Sequence, residues 1–246
     1  MLKRAFDFTA AFCGLLATGP ILAVMLFIIW LEDFCSPIYM AKRGGRNGVM
    51  FHMIKLRSMV KNADKSGLFS TSANDQRITR VGAFVRRRKL DEFGQLWNVL
   101  KGDMSLVGPR PPAMPEVDLY TEVERGLLTV RPGVTDFASI VFADEGEILI
   151  PFPDAALAYN QYIRPWKNRL GLLYVKHSSF ILDLQLILIT LETLLSRRTA
   201  LERLARILVK LDAPADIVAT ARRCSPLVAM PPPGASAVFK ATDFAH

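Results

Sequence analysis

An uninterrupted apolar run near the N-terminus limits most strongly what this chain can fold into. Residues 8–31, FTAAFCGLLATGPILAVMLFIIWL, contain no charged side chain, whereas Lys3 and Arg4 precede the run and acidic residues follow it. Roughly 20 apolar residues are enough for a helix to cross the hydrocarbon core of a bilayer, and charged residues commonly flank such helices. The sequence therefore predicts a membrane-anchoring segment over residues 1–36.

The Gly19-Pro20 pair leaves the path of this segment open. Proline removes a backbone donor and clashes with the preceding turn, so the helix should kink there. A simple span, a kinked single-pass helix and a re-entrant hairpin all agree with the pattern, because neighbouring groups can satisfy the freed carbonyl. A cleaved signal peptide agrees less well, since the run is long and no small-residue cleavage site precedes a clear mature start.

The charge balance points to an anionic partner. Lys and Arg number 31 against 23 acidic residues, a formal charge of +8, which suits phospholipid or a phosphorylated substrate. Nucleic acid is a poor candidate, because it leaves the apolar run without a use and no aromatic residues interleave with the basic run. Cys13, Cys35 and Cys224 lie too far apart for a zinc site or a disulfide scaffold, which favours a reducing compartment.

The remaining pattern predicts an α/β fold that is mostly helical, with short strands. Residues 49–59 alternate, imperfectly, as a strand does. Across residues 83–101, apolar side chains recur at intervals of three and four, which predicts one amphipathic helix. Beyond Asp154, two helical stretches carry tyrosines, a tryptophan and cationic ends, features typical of helices that lie at a membrane interface.

These elements divide the chain into three parts. With its 246 residues, 51% of them hydrophobic, the chain can form one medium-sized domain with appended segments. We place that main domain at residues 37–198, after the anchor. Residues 199–246 form a C-terminal tail whose role the sequence does not reveal, and its Pro-rich residues 231–234 are expected to be flexible.

Two adjacent acids stand out inside the predicted helix. Asp91 and Glu92 follow the basic residues 86–89, and adjacent helical residues point about 100° apart, so both carboxylates can border one cavity. Ordinary surface ion pairs are the competing interpretation, since Arg87 with Asp91 and Arg88 with Glu92 have i,i+4 spacing. The acids alone favour that competing interpretation.

A rigid loop after the predicted helix shifts the balance towards a functional site. Residues 102–111, GDMSLVGPRP, place Arg110 between two prolines. Proline restricts the backbone, so this arginine can offer its planar guanidinium in a fixed direction to a phosphate. A phosphate-binding site beside two carboxylates is therefore favoured over ordinary surface ion pairs.

Several blocks of sequence occur in one order: KRAFDF (3–8), KLRSM (55–59), LDEFGQLWNVLKGDMSLVGPRP (90–111), RPGVTD (131–136) and YVKHSSFILDLQLI (174–187). In these blocks and in their order the chain resembles the bacterial sugar-transferase family, the monotopic phosphoglycosyl transferases that begin surface-glycan assembly. The resemblance covers about residues 3–195, and its long central block is very specific. The tail from Thr199 is not covered.

The resemblance implies a reaction and a role for each acid. Family members transfer a sugar 1-phosphate from a nucleotide diphosphate sugar, usually a UDP-sugar, to a polyprenol phosphate such as undecaprenol phosphate, with Mg²⁺. By this match Asp91 is the nucleophile on the sugar-linked phosphorus and Glu92 is the magnesium ligand. The alternative is a non-catalytic membrane-anchored scaffold for glycan assembly, against which the intact Asp91, Glu92 and Arg110 count.

The match also implies phosphate contacts and a location. It assigns Lys55, Arg86 and Arg110 to phosphate, and less directly Arg131, whose Arg-Pro-Gly loop is equally explained as a plain turn. It places the catalytic domain on the cytoplasmic face of the bacterial inner membrane, with the lipid bilayer as a partner, and leaves open whether two copies form a homodimer.

Two departures from the family pattern bear on these expectations. Relatives commonly have Ser-Pro at the bend of the anchor, where this chain keeps the proline but has Gly19. Many relatives also continue after Arg-Pro-Gly with Thr-Gly-Trp-Ala-Gln, where residues 135–139 here read TDFAS. From the second departure we expect a preference for sugar or nucleotide that differs from that of those relatives.

Overall fold

The computed structural model describes residues 2–63 and 74–244. Helices dominate, and the four strands of the described chain are short, which agrees with the predicted mostly helical α/β character. The strands form two separate two-stranded sheets, one antiparallel and one parallel. The site described below lies between these sheets and the helices that follow them.

The N-terminal apolar run forms one helix, α1 (Leu2–Asp33), and Pro20 does not divide it into two helices. One turn before the proline, the Thr18 hydroxyl donates to the Gly14 carbonyl at 2.7 Å. Within the described chain, α1 alone is long and apolar enough to cross a membrane by length and composition. Its exposed apolar side chains include Phe8, Phe12, Leu16, Ile21, Val24, Phe27 and Trp30.

The predicted strand at residues 49–59 is confirmed as β2 (Met50–Leu56), which pairs antiparallel with β1 (Ile38–Gly44). A single 3-10 turn, Arg46–Gly48, connects them, and Asn47 and Gly48 both have positive φ there. The register places Tyr39 opposite Lys55. The hairpin thus carries Lys55 on a paired, rigid strand.

The prediction of one continuous helix over residues 83–101 is wrong. The structure has α2 (Arg80–Arg87), a 3-10 helix (Leu90–Gly94) and α3 (Gln95–Lys101), with Lys89 in the left-handed region at φ 56°. Gly94 lies so close to the backbone of Ile54 in β2 that an added Cβ would contact its carbonyl at 2.9 Å. Tertiary contact with the hairpin therefore overrides the continuous helical periodicity.

The parallel sheet contains β3 (Ser105–Val107) and β4 (Gly133–Thr135). The remaining elements are mostly short helices: α4 (Met114–Asp118), a 3-10 helix (Glu124–Thr129), α5 (Phe137–Val141), α6 (Glu145–Ile148), α7 (Ala155–Ala158), a π-helix (Tyr159–Ile163), α8 (Arg164–His177), α9 (Phe180–Thr193), α10 (Arg197–Lys210), α11 (Ala215–Arg222) and a 3-10 helix (Ala241–Phe244). The largest apolar core joins residues of α5, α8, α9, α10 and α11.

The interpretation of the helices after Asp154 as interfacial needs correction for α8. Trp166 is 5% exposed and Tyr174 is 2% exposed, so the aromatic residues that suggested a membrane belt pack in the core instead. Their polar ends are satisfied internally, since Trp166 Nε1 donates to the Val228 carbonyl at 3.0 Å and the Tyr174 hydroxyl to Asp183 at 2.7 Å. Helix α9, by contrast, leaves Ile181, Leu188 and Leu191 exposed.

The C-terminal tail packs against the main domain. Leu204 and Leu208 of α10 and Ile217 of α11 belong to the same apolar core as Phe137. The segment that we expected to be flexible is hydrogen-bonded to α8 and to the loop after α4: Arg169 donates to the carbonyl of Pro231 at 3.1 Å, and the Thr121 hydroxyl to that of Pro233 at 2.5 Å.

The first turn of α1 is bonded to distant parts of the main domain. Lys3 Nζ donates to the Asp183 carboxylate of α9 at 2.5 Å. The guanidinium of Arg4 donates to the carbonyls of Val99 at 2.5 Å and Leu100 at 2.7 Å. These carbonyls lie in the last turn of α3, where a helix dipole favours a cation.

Asp7 joins α1 to the parallel sheet. The side chain is buried, and its carboxylate accepts hydrogen bonds from the Ser105 hydroxyl at 2.8 Å and the Leu106 N–H at 3.1 Å. A buried charge is tolerated only when such donors replace the lost water. The KRAFDF block (residues 3–8) thus docks the start of the apolar helix α1 onto the domain.

The far end of α1 is held by the same domain. Ile29 is 1% exposed and packs in a cluster with Leu56 and Val85. Asp33 forms an ion pair with Arg57 at 2.5 Å. Both ends of α1 therefore lie on one globular body, while an apolar face between them stays exposed.

We expect Asp7→Ala to lower the free energy of unfolding by about 2–3 kcal/mol, because two buried donors lose their charged acceptor. Thermal unfolding of the detergent-solubilised protein measures the change. The exposed Glu122→Ala serves as the control and should leave stability within about 0.5 kcal/mol of wild type. Equal stability of the two variants would contradict a docking role for Asp7.

Candidate functional site

The two adjacent acids lie in the 3-10 helix Leu90–Gly94, close to β2 and to the loop after β3. The left-handed conformation of Lys89 redirects the chain after α2, and Lys89 Nζ donates to the Ala143 carbonyl at 3.0 Å. Asp91 and Glu92 are both partly buried. A short helix with its own backbone break, rather than a regular surface helix, thus positions the acids.

Glu92 pairs with Arg110 and not with Arg88, the partner that i,i+4 spacing would give it. Arg110 Nη2 lies 2.6 Å from Glu92 Oε1, and the two side chains keep 31% and 22% of their surface exposed. Burial by itself would raise the pKa of Glu92, but the charges of Arg110, Lys55 and Lys89 outweigh it and lower that pKa to about 2. Glu92 is therefore ionised throughout the physiological range.

Asp91 has a different environment. Burial raises the pKa of its carboxyl and the neighbouring Glu92 adds to this effect, whereas the charges of Lys55, Arg110 and Arg86 oppose it. Within the described residues, no hydrogen bond or ion pair engages its carboxylate. Asp91 is thus an unpartnered carboxylate in a partly dehydrated, cationic setting, which suits a nucleophile.

Lys55 extends from β2 into the same group of charges. Burial lowers the pKa of its ammonium to about 8, and the adjacent Arg110 contributes, while Asp91 and Glu92 act in the opposite direction. The structure therefore brings together four residues singled out from the sequence, Lys55, Asp91, Glu92 and Arg110. Two cations and two acids at close range are an arrangement that can bind a phosphate beside an available carboxylate.

Backbone contacts between β3 and β4 fix the position of Arg110. The N–H of Gly108 donates to the Thr135 carbonyl at 3.0 Å, and the N–H of Gly133 donates to the Pro109 carbonyl at 3.0 Å. A Cβ on Gly133 would collide with the backbone of Gly108. Two glycines therefore allow the strands to approach closely enough to hold the arginine loop.

The two other predicted phosphate contacts have different positions. Arg86, at the end of α2, is close enough to Asp91 for its charge to lower the pKa of that carboxyl. Arg131 is exposed, and its Nε donates to the Gly102 carbonyl at 2.9 Å. Arg86 thus belongs with the acids, whereas the contact seen for Arg131 ties two loops together.

The structure adds residues that the sequence patterns did not reveal. Arg43 lies near Arg110. Burial lowers the pKa of Arg43, and the positive charge of Arg110 lowers it further. Glu145 is near Arg110 as well and forms an ion pair with Lys167 at 2.8 Å. Arg43, Glu145 and Lys167 come from β1, α6 and α8, so no local spacing could have identified them.

The adjacent acids fit a magnesium ion that is shared with a substrate. Mg²⁺ is usually held by one or two carboxylates together with waters and substrate phosphates. The low pKa of Glu92 keeps it charged, and its Oε2 makes no hydrogen bond within the described residues. Across residues 2–63 and 74–244, no group of three or more His, Cys, Asp or Glu side chains forms a metal site on its own.

Comparisons with known proteins identify the family of the chain. Residues 1–197 match the family model described as bacterial sugar transferase. A Bacillus subtilis protein, provisionally named an undecaprenyl-phosphate N-acetylgalactosaminyl 1-phosphate transferase, is 47% identical over 121 residues, which are 49% of this chain and 65% of the relative. The chain belongs to the bacterial sugar-transferase family.

Two further relatives cover more of the chain. EpsL of Bacillus subtilis, named an uncharacterized sugar transferase, is 34% identical over 196 residues, or 79% of this chain and 88% of the relative. The undecaprenyl-phosphate glucose phosphotransferase of Komagataeibacter xylinus is 34% identical over 208 residues, or 80% of this chain and 36% of the relative. The chain thus spans little more than a third of the length of the last of these proteins.

We expect Gly133→Ala to destabilise the protein by about 2 kcal/mol or more, because a methyl group cannot fit against the Gly108 backbone without moving the Arg110 loop. Gly19→Ala is the matched control, since nothing lies within 4 Å of a Cβ at that position in α1. Thermal unfolding in detergent compares the two. Similar melting temperatures would contradict the close approach of β3 and β4.

Proposed function

We propose that this protein transfers a sugar 1-phosphate from a UDP-sugar to undecaprenol phosphate and so starts the assembly of a surface glycan. The observation that carries the proposal is the convergence of an unpartnered carboxylate, Asp91, with Lys55, Arg110 and the ionised Glu92. The names of two relatives, which refer to undecaprenyl-phosphate sugar transfer, agree with it.

The first half of the proposed reaction uses Asp91. An oxygen of its carboxylate attacks the phosphorus that carries the sugar, and the bond from that phosphorus to the bridging oxygen breaks. UMP leaves with the bonding electrons, and an aspartyl phosphosugar remains. The unpartnered carboxylate of Asp91 favours this role over Glu92, whose Oε1 is engaged by Arg110.

The second half regenerates the enzyme. A phosphate oxygen of undecaprenol phosphate attacks the same phosphorus, and the bond between phosphorus and Asp91 breaks. The sugar is then joined to the lipid through a diphosphate. Splitting the transfer into two displacements allows two anionic substrates to react in turn at one carboxylate.

The cations make attack by an anion on a phosphate possible. Two negative groups repel each other unless the phosphate oxygens are neutralised, and fixed positive groups in a partly dehydrated site do this well. Lys55 and Arg110 are placed for that task, with Arg86 beside them. When bound, Mg²⁺ held by Glu92 would add to the neutralisation of the phosphate oxygens.

We further propose a monotopic arrangement at the inner membrane, with the site on the cytoplasmic side. The fixing of both ends of α1 on one globular body favours this arrangement over a simple crossing. Phe6 of α1 packs edge-on against Phe180 of α9 with ring centres 5.4 Å apart, so the two helices, each with exposed apolar residues, meet at their N-terminal turns. Together these apolar residues offer a surface for lipid, beside which the polyprenol can enter.

Asp91→Asn should reduce turnover by about 10³-fold or more while the protein stays folded and membrane-bound, because the amide cannot act as the nucleophile. The assay measures UMP release with Mg²⁺, undecaprenol phosphate and a panel of UDP-sugars. Asp118→Asn, an exposed change on α4, is the matched control and should retain full activity. Normal turnover in Asp91→Asn would remove Asp91 as nucleophile.

Glu92→Gln should raise the Mg²⁺ concentration needed for half-maximal turnover by about tenfold or more, because a neutral amide is a poor magnesium ligand. A magnesium titration of UMP release measures this change. An unaltered magnesium response, with only the maximal rate reduced, would assign Glu92 to the positioning of Arg110 instead.

Turnover should decline as the pH rises through about 8, because Lys55, whose pKa is about 8, loses its proton and its charge there. Lys55→Arg keeps the charge, so this decline should move to higher pH in the variant. As the pH is raised from acidic values, turnover should increase while Asp91, whose pKa is raised by burial, loses its proton. Lys55→Arg should leave this increase unchanged. A decline at the same pH in Lys55→Arg would assign it to another group.

A further inference from the structure

A second group of polar side chains lies beside the phosphate site, and no step proposed above uses it. We call Glu116, Glu145, Tyr159 and Lys167 the second polar cluster. Lys167 Nζ donates to Glu145 Oε2 at 2.8 Å and lies 5.2 Å from the centre of the Tyr159 ring. The Tyr159 hydroxyl makes a long contact of 3.5 Å with Glu116 Oε1. Four side chains from α4, α6, the π-helix and α8 thus form one continuous chain of contacts.

This cluster borders the same arginine that pairs with Glu92. Helix α4, which carries Glu116, begins directly after the loop that contains Arg110. The end of β1 runs along that loop. The Gly44 N–H donates to the Pro112 carbonyl at 2.9 Å, and the backbone of Arg43 forms an isolated antiparallel β-bridge with that of Ala113. A substrate phosphate held at Arg110 would therefore have its substituents within reach of the cluster.

The polar groups here are incompletely satisfied. Glu116 and Tyr159 are both partly buried, and this burial raises their pKa values. The buried Nε of Arg43 has no hydrogen-bond partner in the part of the chain that the structure describes. Because such groups cost free energy when unpaired, a ligand that supplies donors and acceptors would stabilise them.

The chemistry of the cluster favours a sugar over the other parts of the donor. Carboxylates accept hydrogen bonds from hydroxyl groups, an aromatic ring such as that of Tyr159 packs against the C–H face of a sugar, and Lys167 can donate to ring substituents. A second phosphate would be repelled by Glu116 and Glu145. Uracil offers one N–H donor and two carbonyl acceptors, which match two carboxylates poorly.

We propose that Glu116, Tyr159 and the ion pair of Lys167 with Glu145 form the subsite for the sugar ring of the donor and set which sugar is transferred. This proposal rests on the proposed function, since the sugar reaches the subsite only as part of a phosphate-linked donor. Residues 135–139, which depart from the family pattern, lie near the subsite: Asp136 of this segment is close enough to Lys167 and Arg110 for their charges to oppose the rise in its pKa that burial causes.

Binding without turnover tests the subsite directly. The full-length protein is prepared as Asp91→Asn, alone and combined with Glu116→Gln, Tyr159→Phe or the control Asp118→Asn. The dissociation constants of UDP and of the wild-type protein's best UDP-sugar, or of UDP-glucose if no sugar turns over, are measured for each. Glu116→Gln and Tyr159→Phe should each weaken UDP-sugar binding about fivefold and leave UDP binding unchanged. Asp118→Asn should change neither constant.

The outcomes separate this inference from the proposed reaction. Equal weakening of UDP and UDP-sugar would place the nucleotide, not the sugar, in the cluster and overturn the inference, as would no weakening of either. Selective loss of sugar binding in a protein that turns over none of the panel would support the subsite while overturning the reaction. With Asp91 intact, Glu116→Gln should also change the ratio of kcat/KM between epimeric UDP-sugars, and an unchanged ratio would overturn the role in sugar choice.

Discussion

The short strand β3 is the point on which the rest of the structure depends. Its backbone pairs with β4, receives the buried Asp7 carboxylate from α1, and offers the Val107 carbonyl to both Lys3 and the Tyr174 hydroxyl. The apolar helix α1, the Arg110 loop and the core helices α8 and α9 are therefore joined through a few buried polar contacts. Such contacts are directional and costly to break, so they fix the angle at which α1 meets the domain that carries the candidate site.

The site itself depends on charges that only partly cancel. Arg110 neutralises one oxygen of Glu92, and Lys55 lies where burial lowers the pKa of its ammonium. Among the described residues, no cation is bonded to the Asp91 carboxylate. Partial burial strengthens the interactions between these charges relative to water. The result is a cationic site suited to phosphate in which one carboxylate stays available, and the second polar cluster adjoins it.

The tail beyond the family match is part of the fold and stabilises elements near the site. Asp144, in the turn between α5 and α6, accepts a hydrogen bond from Arg223 of this tail at 3.4 Å and one from Arg197, the last residue of the family match, at 2.8 Å. The neighbouring Ala143 carbonyl accepts from Lys89, and the neighbouring Glu145 binds Lys167. Residues 198–244 thus add packing and an ion pair to a turn that contacts Lys89, two residues before Asp91, and the second polar cluster.

The sequence by itself determined the parts that depend on local order. These are the long apolar helix, the strand around Lys55, the adjacent acids Asp91 and Glu92, and an Arg110 loop stiffened by prolines. It misjudged the helix of residues 83–101 and the aromatic residues of α8, because periodicity indicates an apolar face but not whether lipid or protein covers it. Only the tertiary structure decided that Lys89 breaks this helix, that Arg110 replaces Arg88 as the partner of Glu92, and that Glu145, paired with Lys167, lies near the same arginine. These contacts join residues far apart in the chain, and their energies come from burial and charge that exist only after the chain has folded.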